Sequence, residues 1–528
     1  MPIRIAPSAR PACPEPARWD IFGRRESPQS PRKGAAAARQ RRGGHSWRLA
    51  ALATTLLGSL LLAGCAATEG IAPTAHLTQP QQLGLQAAQT AFPQADWWTA
   101  FHDPELDRLI TTALADNPNL QVAQALLAQA RAVVQGADSA LKPKLGAALN
   151  STREQFSAND IYPPPLGGGW YTENQALLQG SWELDFFGRN RQTLQAAIGQ
   201  AHAAAAQDQA ARVLLSANVA GAYVNLARLV ALQDVLQQTL KQREQMLKLV
   251  RDRVRAGLET TVQEKQALAE VPQIRLQLDQ TAVQIAQARN LLAALLGQGP
   301  QATAALSPTL AALPTMTLPD TLPAALIGRR ADIVAARWQV EAALHDVKAA
   351  RAAFYPNVNL TAFAGFTALG FSNWLNGSSQ TFGVGPALTL PIFEGGALRA
   401  QLRGKSAEAD AAIAQYNAAL VDAVHEVADA IAARQSIGQQ ITQQQEALAA
   451  AQDAMHLVDQ RYKAGLSNYL TVLTVQSSVF KLQQAGVDLK AQALADDVAL
   501  IRALGGGYTA HDLPPSQLAT GAQPAAAR

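Results

Sequence analysis

Arg253-Val254-Arg255-Ala256-Gly257-Leu258 returns 208 residues later as Arg461-Tyr462-Lys463-Ala464-Gly465-Leu466. Each stretch interrupts a long run of helix-forming residues with glycine, which accepts φ > 0 without steric penalty. Each therefore reads as a tight reversal between two helices. The pairing extends outward. Asn119-Leu120-Gln121-Val122-Ala123 opens a helical segment ending at Lys142-Pro143-Lys144-Leu145. Asp332-Ile333-Val334-Ala335-Ala336 opens another ending at Tyr355-Pro356-Asn357-Val358, at an offset of 213. Phe187-Gly188 is echoed by Phe393-Glu394-Gly395. One motif set is written twice. Residues 298–323, rich in Pro, Ala and Thr, read as the linker that joins the copies.

Within each copy the order is helix, two strands, then two very long helices around the Ala-Gly-Leu break. Residues 190–255 hold no proline and are rich in Ala, Gln and Leu, all good helix formers. Such a helix extends roughly 100 Å at 1.5 Å per residue. Leu236, Leu240, Leu247, Val250 and Val254 follow the 3-4 spacing of a coiled-coil seam, interrupted by Arg243. Tyr223 is the only aromatic residue between Asn190 and Leu296, so the predicted packing is thin-walled, helix on helix.

The aromatic residues gather elsewhere. Of the 29 Phe, Trp and Tyr residues, 15 lie in residues 144–187 and 354–393, where the apolar period changes from about 3.6 to 2. Ala176, Leu178, Gly180, Trp182, Leu184 and Phe186 share one face, opposite Gln175, Gln179, Ser181, Glu183 and Asp185. Val358, Leu360, Ala362, Ala364 and Phe366 form a second apolar face. Phe382, Val384, Leu388 and Leu390 form that of a fourth strand, with Pro386 its awkward member. The connecting loops are predicted at 157–171 and 370–380. Alternating strands of about ten residues fit an outer-membrane β-barrel; a soluble sheet packed on helices fits the same alternation. If they span, four strands cannot close a barrel, since about eight is the smallest number that does. Lipid would leave the edge groups unsatisfied, so other copies of the chain must complete it. A dimer, a trimer or a tetramer would each do so.

The N-terminus carries an address. Arg39, Arg41, Arg42 and Arg48 precede an apolar run that ends at Leu62-Ala63-Gly64-Cys65, the layout of a secretory signal with a small-residue cleavage site. Cysteine directly after Ala-Gly reads as a bacterial lipobox, with Cys65 lipidated at the start of the mature chain. Residues 1–64 hold 11 basic and 3 acidic side chains, which leaves 33 basic and 37 acidic in the mature part. The net charge moves from +4 to −4, and nucleic-acid binding loses its support. Cys13 leaves with the signal, so no disulfide framework remains. Residues 1–38 are longer than an n-region requires and read as a misassigned start.

Several stretches together resemble the TolC-like outer-membrane efflux protein family, in its lipoprotein (NodT-like/OprM-like) branch. They are Trp97-Trp98-Thr99-Ala100-Phe101-His102-Asp103-Pro104-Glu105-Leu106, Trp182-Glu183-Leu184-Asp185-Phe186-Phe187-Gly188-Arg189 and Gly328-Arg329-Arg330-Ala331-Asp332-Ile333. Phe354-Tyr355-Pro356, Pro391-Ile392-Phe393-Glu394-Gly395-Gly396 and Ala503-Leu504-Gly505-Gly506-Gly507 complete the set. The resemblance implies a mainly α fold with a membrane β-barrel part: a homotrimer whose twelve strands close one barrel above a long periplasmic α-helical barrel. It implies a passive duct without catalytic chemistry in a tripartite efflux pump, exporting drugs or other small toxic compounds. Its partners would be a periplasmic adaptor (membrane fusion) protein and an inner-membrane resistance-nodulation-division pump. The implied adaptor-contact tips are Arg255, Gly257, Leu258, Lys463, Gly465 and Leu466. The implied periplasmic gate comprises Gln263, Tyr462, Thr471 and Thr474, the threonines standing where the family places acidic residues. Three threonines lack the repulsion and cation affinity of three carboxylates, so a cation-blockable gate is not expected. Tyr462 is expected to reach Gln263 or Glu264. Cys65 would carry N-palmitoyl and S-diacylglycerol groups in outer-membrane lipid.

The resulting division is signal 1–64, lipid-anchored strap 65–101, first repeat 102–297, linker 298–323, second repeat 324–508 and a disordered tail 509–528. A type I protein-secretion duct and a coiled-coil lipoprotein scaffold are the competing readings. Nothing in the chain has the spacing of a metal site, a nucleophile elbow or a phosphate loop, so neither enzyme, metal nor cofactor is expected.

Overall fold

The computed structural model describes residues 68–83, 92–310, 313 and 328–510. Cys65, the signal, most of the linker's second half and residues 511–528 lie outside them.

Helix α1 (Pro104–Asp116) starts where Asp103 caps it, Oδ1 accepting from the backbone N–H of Glu105 at 2.9 Å and of Leu106 at 3.3 Å. Oδ2 of the same carboxylate accepts from the Tyr223 hydroxyl at 2.7 Å, pinning α1 to the long helix that bears Tyr223. Asn117 ends α1 and caps α2 (Pro118–Ser139). Two strands follow, β1 (Lys144–Gln155) and β2 (Trp170–Leu184), then α3 (Arg189–Arg255) and α4 (Thr261–Leu295). The second copy repeats the order as α5 (Ala331–Ala352), β3 (Asn357–Leu369), β4 (Gln380–Thr389), α6 (Ala397–Lys463) and α7 (Tyr469–Ala503). The duplication holds to the residue in the helices: α3 and α6 each have 67 residues, α4 and α7 each 35. Gly188 (φ 78°) and Gly396 (φ 88°) turn the chain from strand into α3 and α6.

The four strands make one antiparallel sheet in the order β1-β2-β3-β4, so the two copies meet at β2 and β3. The register lays apolar residues beside one another. Ala147 faces Leu178, which faces Ala364, which faces Phe382; Trp182 faces Leu360, which faces Pro386. Leu145, Leu149, Leu178, Phe382, Val384 and Leu388 on this face are all exposed. Residues of the alternate face, among them Gln175, Gln179 and Ser181, are mainly polar. Several expectations need adjustment. β2 ends at Leu184 and β4 at Thr389, so Asp185, Phe186 and Leu390 are off the strands, while Trp170, Tyr171 and Gln380 lie in strands, not in loops. Pro386 lies in β4, which is an edge strand of the sheet within one chain.

The main core lies where α1, the middle of α3, the end of α4 and the end of α7 converge. It includes Trp97, Phe101, Leu106, Leu109, Tyr223, Leu292, Leu494 and Ile501. Each fully buried Leu or Ile contributes about 1.5–3 kcal/mol. α3 and α5 approach so closely at Gly199 that a Cβ there would lie 3.1 Å from that of Ala342. Among the described residues, α3 alone is long and apolar enough to cross a bilayer, yet 61% of its apolar window is buried against neighbouring helices. The described part of the predicted linker packs on α4: Thr303 Oγ1 donates to the Arg289 carbonyl at 2.7 Å, and Leu310 is buried.

Candidate functional site

The two reversals far from the sheet have the same backbone geometry. In the first, the N–H of Gly257 donates to the Val254 carbonyl at 3.0 Å and that of Leu258 to Arg253 at 2.9 Å. In the second, Gly465 donates to Tyr462 at 3.0 Å and Leu466 to Arg461 at 2.8 Å. Gly257 and Gly465 have φ values of 72° and 77°, so these are glycine-terminated Schellman caps. Such caps usually bury the residue after glycine; here Leu258 and Leu466 are 64% and 70% exposed. Basic side chains crowd the ends of both preceding helices, Arg253 and Arg255 on α3, Arg461 and Lys463 on α6. They complement the negative end of each helix dipole. Lys463 pairs with Asp459 at 2.6 Å and Arg255 with Asp252. Each tip thus presents an exposed leucine on a basic collar.

Behind the tips, Tyr462 is fully buried among Met246, Leu247, Val250, Ala267, Val271, Tyr469 and Val472. The Arg253 guanidinium lies 4.7 Å from its ring centroid and donates through Nη1 to the Tyr462 carbonyl at 3.1 Å. Burial and the nearby Glu259 carboxylate push the Tyr462 phenol up to about 12, against the opposing pull of Arg253. Tyr462 does not reach either expected partner within the chain. Gln263 closes a capping box with Thr260, and Glu264 pairs with Arg251 at 3.2 Å. The acidic neighbour of Tyr462 is Glu259. Thr471 and Thr474 are exposed, and each hydroxyl is engaged by its own helix. Thr471 donates to Asn468 Oδ1 at 2.9 Å and Thr474 to the Leu470 carbonyl at 2.9 Å.

Arg243 is the residue that sequence reasoning passed over. It looked like a flaw in the α3 seam, yet it is 4% exposed. Nη1 donates to Gln476 Oε1 of α7 at 2.6 Å and Nη2 to Ser477 Oγ at 3.4 Å, while Nη2 lies 3.7 Å from Glu270 Oε2 of α4. One guanidinium therefore ties three helices and both hairpins. The available signal was its position: an arginine at a seam site needs buried partners, and Glu270 and Gln476 lie at comparable distances beyond the two reversals. No group of three or more His, Cys, Asp or Glu residues is arranged to hold a metal among the described residues.

The outer membrane efflux protein family model matches residues 109–298 and again residues 322–506. The chain is 37% identical over 359 residues to the fusaric acid resistance protein FusA of Burkholderia cepacia, covering 66% of this chain and 68% of that protein. It is 34% identical over 471 residues to the putative multidrug resistance outer membrane protein MdtQ of Escherichia coli K12, covering 85% and 96%. Among solved structures it is similar to the outer membrane protein VceC of Vibrio cholerae, with a TM-score of 0.75 and 36% identity over 79% of this chain and 100% of that one. The open-state outer membrane channel MtrE of Neisseria gonorrhoeae gives a TM-score of 0.71 at 27% identity, over 83% and 98%.

Proposed function

The chain belongs to the outer membrane efflux protein family, and from that premise we propose that it is the outer-membrane duct of a tripartite pump exporting small toxic compounds. The observation that carries this reading is the sheet: four strands with exposed apolar residues, Leu145, Leu149, Leu178, Phe382, Val384 and Leu388, on one face and with two open edges. Lipid tolerates such a face but not such edges, so closure by identical copies follows, and three copies make a twelve-stranded barrel. The long hairpins continue the wall through the periplasm. A periplasmic adaptor meets the tips, and an inner-membrane resistance-nodulation-division pump supplies the energy.

Purified protein in planar bilayers is expected to conduct ions, and deletion of the gene to raise susceptibility to a panel of antibiotics and dyes. A deletion strain with unchanged susceptibility but one missing secreted protein would replace the efflux reading with protein secretion.

The exposed leucines carry the adaptor contact. Leu258→Glu combined with Leu466→Glu is expected to abolish efflux in cells while leaving trimer yield and melting temperature unchanged, because neither side chain is buried. Adaptor crosslinking at wild-type levels would remove the tips from the interface.

Lipidation of Cys65 tethers the N-terminal strap at the inner leaflet, with the barrel as the principal anchor. Cys65→Ala is expected to weaken membrane residence only in part, since acyl chains add to a barrel that already spans. A fully soluble periplasmic variant would refute the barrel.

A further inference from the structure

The N-terminal strap runs along α6 toward the sheet. Thr78 N–H donates to Asn417 Oδ1 at 2.8 Å, and Asn417 Nδ2 donates to the His76 carbonyl at 2.8 Å. Two turns nearer the start of α6, Asp410 accepts from the N–H groups of Thr74 and Ala75 at 2.7 and 2.8 Å. Nearer still, residues 69–72 form one wall of a shallow concavity whose other wall is the face of α6 bearing Arg399, Arg403 and Ser406. The strap thus climbs toward the first turn of α6, eight residues beyond the end of β4. Ile392 and Phe393, in between, are 77% and 89% exposed. This is the rim at which a spanning sheet leaves the bilayer.

The groups in this concavity are chemically specific. Arg399 and Arg403 lie one helical turn apart, both exposed, and neither forms an ion pair among the described residues. Ser406 is 5% exposed and its buried Oγ has no hydrogen-bond partner. Glu69 contributes an exposed carboxylate at the mouth. Asp410 is already engaged by the strap's backbone. Two guanidiniums one helical turn apart suit a phosphate, and Arg399 lies in the first turn of α6, where the helix dipole also favours an anion. The carboxylate beside them suits an ammonium.

We propose that the Arg399–Arg403–Ser406 face of α6, with Glu69, binds a phospholipid of the inner leaflet through a zwitterionic phosphoethanolamine headgroup. This rests on the reading that the sheet spans the outer membrane. The two guanidiniums donate to phosphate oxygens above the floor that Ser406 helps to form, and Glu69 accepts from the ammonium. Glu69 follows Cys65 by four positions, a reach of at most about 14 Å, so a lipidated Cys65 enters the same leaflet beside the bound headgroup. The strap is then held at its membrane end by a covalent and a non-covalent lipid together.

The test uses the full-length protein reconstituted in vesicles of equal phosphatidylethanolamine and phosphatidylglycerol, then extracted in mild detergent, with retained lipid counted by native mass spectrometry. Wild type is expected to retain phosphatidylethanolamine in preference. Arg399→Gln with Arg403→Gln is expected to lower that retention about a hundredfold, the loss of two charge-assisted hydrogen bonds. Glu69→Gln is expected to keep the lipid count and lose the headgroup preference. Soluble phosphoethanolamine is expected not to displace the lipid, which separates a membrane lipid from a free headgroup ligand. Wild-type retention by the double arginine variant, in protein that floats with its vesicles, overturns the proposal alone. Wild-type protein that does not float overturns the spanning reading beneath it.

Discussion

Leu178→Arg is expected to abolish recovery of folded protein from the outer membrane. Leu178 lies in the middle of β2, 55% exposed, with Ala147 and Ala364 beside it on the apolar face. An arginine at the bilayer midplane of a barrel costs about 2–4 kcal/mol. In the proposed trimer, three copies raise this to about 6–12 kcal/mol, comparable with the whole stability of a folded domain. Gln179→Arg is the control one residue away. Its side chain points to the opposite face, paired with Gly146 and Phe363, where water replaces lipid. It is expected to insert at wild-type levels. Heat-modifiable migration on gels and flotation with vesicles measure both; equal insertion of the two variants would contradict the assignment of the faces.

Arg243→Met is expected to destabilise the tip end and to open a leak. The substitution leaves Gln476 unpaired in a buried site and takes the cation from Glu270, which is a quarter exposed, so the cost is below the ~3–5 kcal/mol of a fully buried pair broken from one side. Arg243 is also a tie from the first hairpin to α7, so its loss frees α7 to move against α3 and α4. The expected results are a lower melting temperature and a raised resting conductance in planar bilayers. Combining Arg243→Met with Glu270→Leu and Gln476→Leu removes both stranded side chains, Ser477 keeping its bond to the Leu473 carbonyl, and is expected to restore the melting temperature. The leak is expected to persist, because apolar packing does not reproduce a directional tie. Resting conductance equal to wild type in both variants would deny Arg243 any part in closure.

Most of the architecture was legible in the chain because it is written in local signals. The glycine reversals, the proline-free run ending at Arg255 and the alternation through Leu178 and Leu360 each depend on residues within one element. The candidate site was legible at its corners and not in its wiring. Gly257 and Gly465 make the expected turns, and Tyr462 is buried behind them, flanked by Glu259 and Arg253 in place of Gln263 or Glu264. Gln263 instead serves a cap three residues away, because a local hydrogen bond forms at far less entropic cost than a contact across hairpins. Pro272 would ordinarily break a helix at about 3 kcal/mol or more, yet α4 runs through it. Buried neighbours such as Val271 and Ile274 hold both sides in place.

The sequence by itself determined that the chain is duplicated, that each half carries two alternating strands and a long hairpin, and where each hairpin turns. Periodicity and backbone permission act within a few residues, so they survive without knowledge of the fold. Only the tertiary structure decided that β2 pairs with β3 across the two halves and that the strap climbs the face of α6. It alone turned Arg243 from a flaw in a seam into a tie between hairpins. Each of these is a contact between residues far apart in the chain. Its energy depends on burial and on a partner that no local pattern specifies.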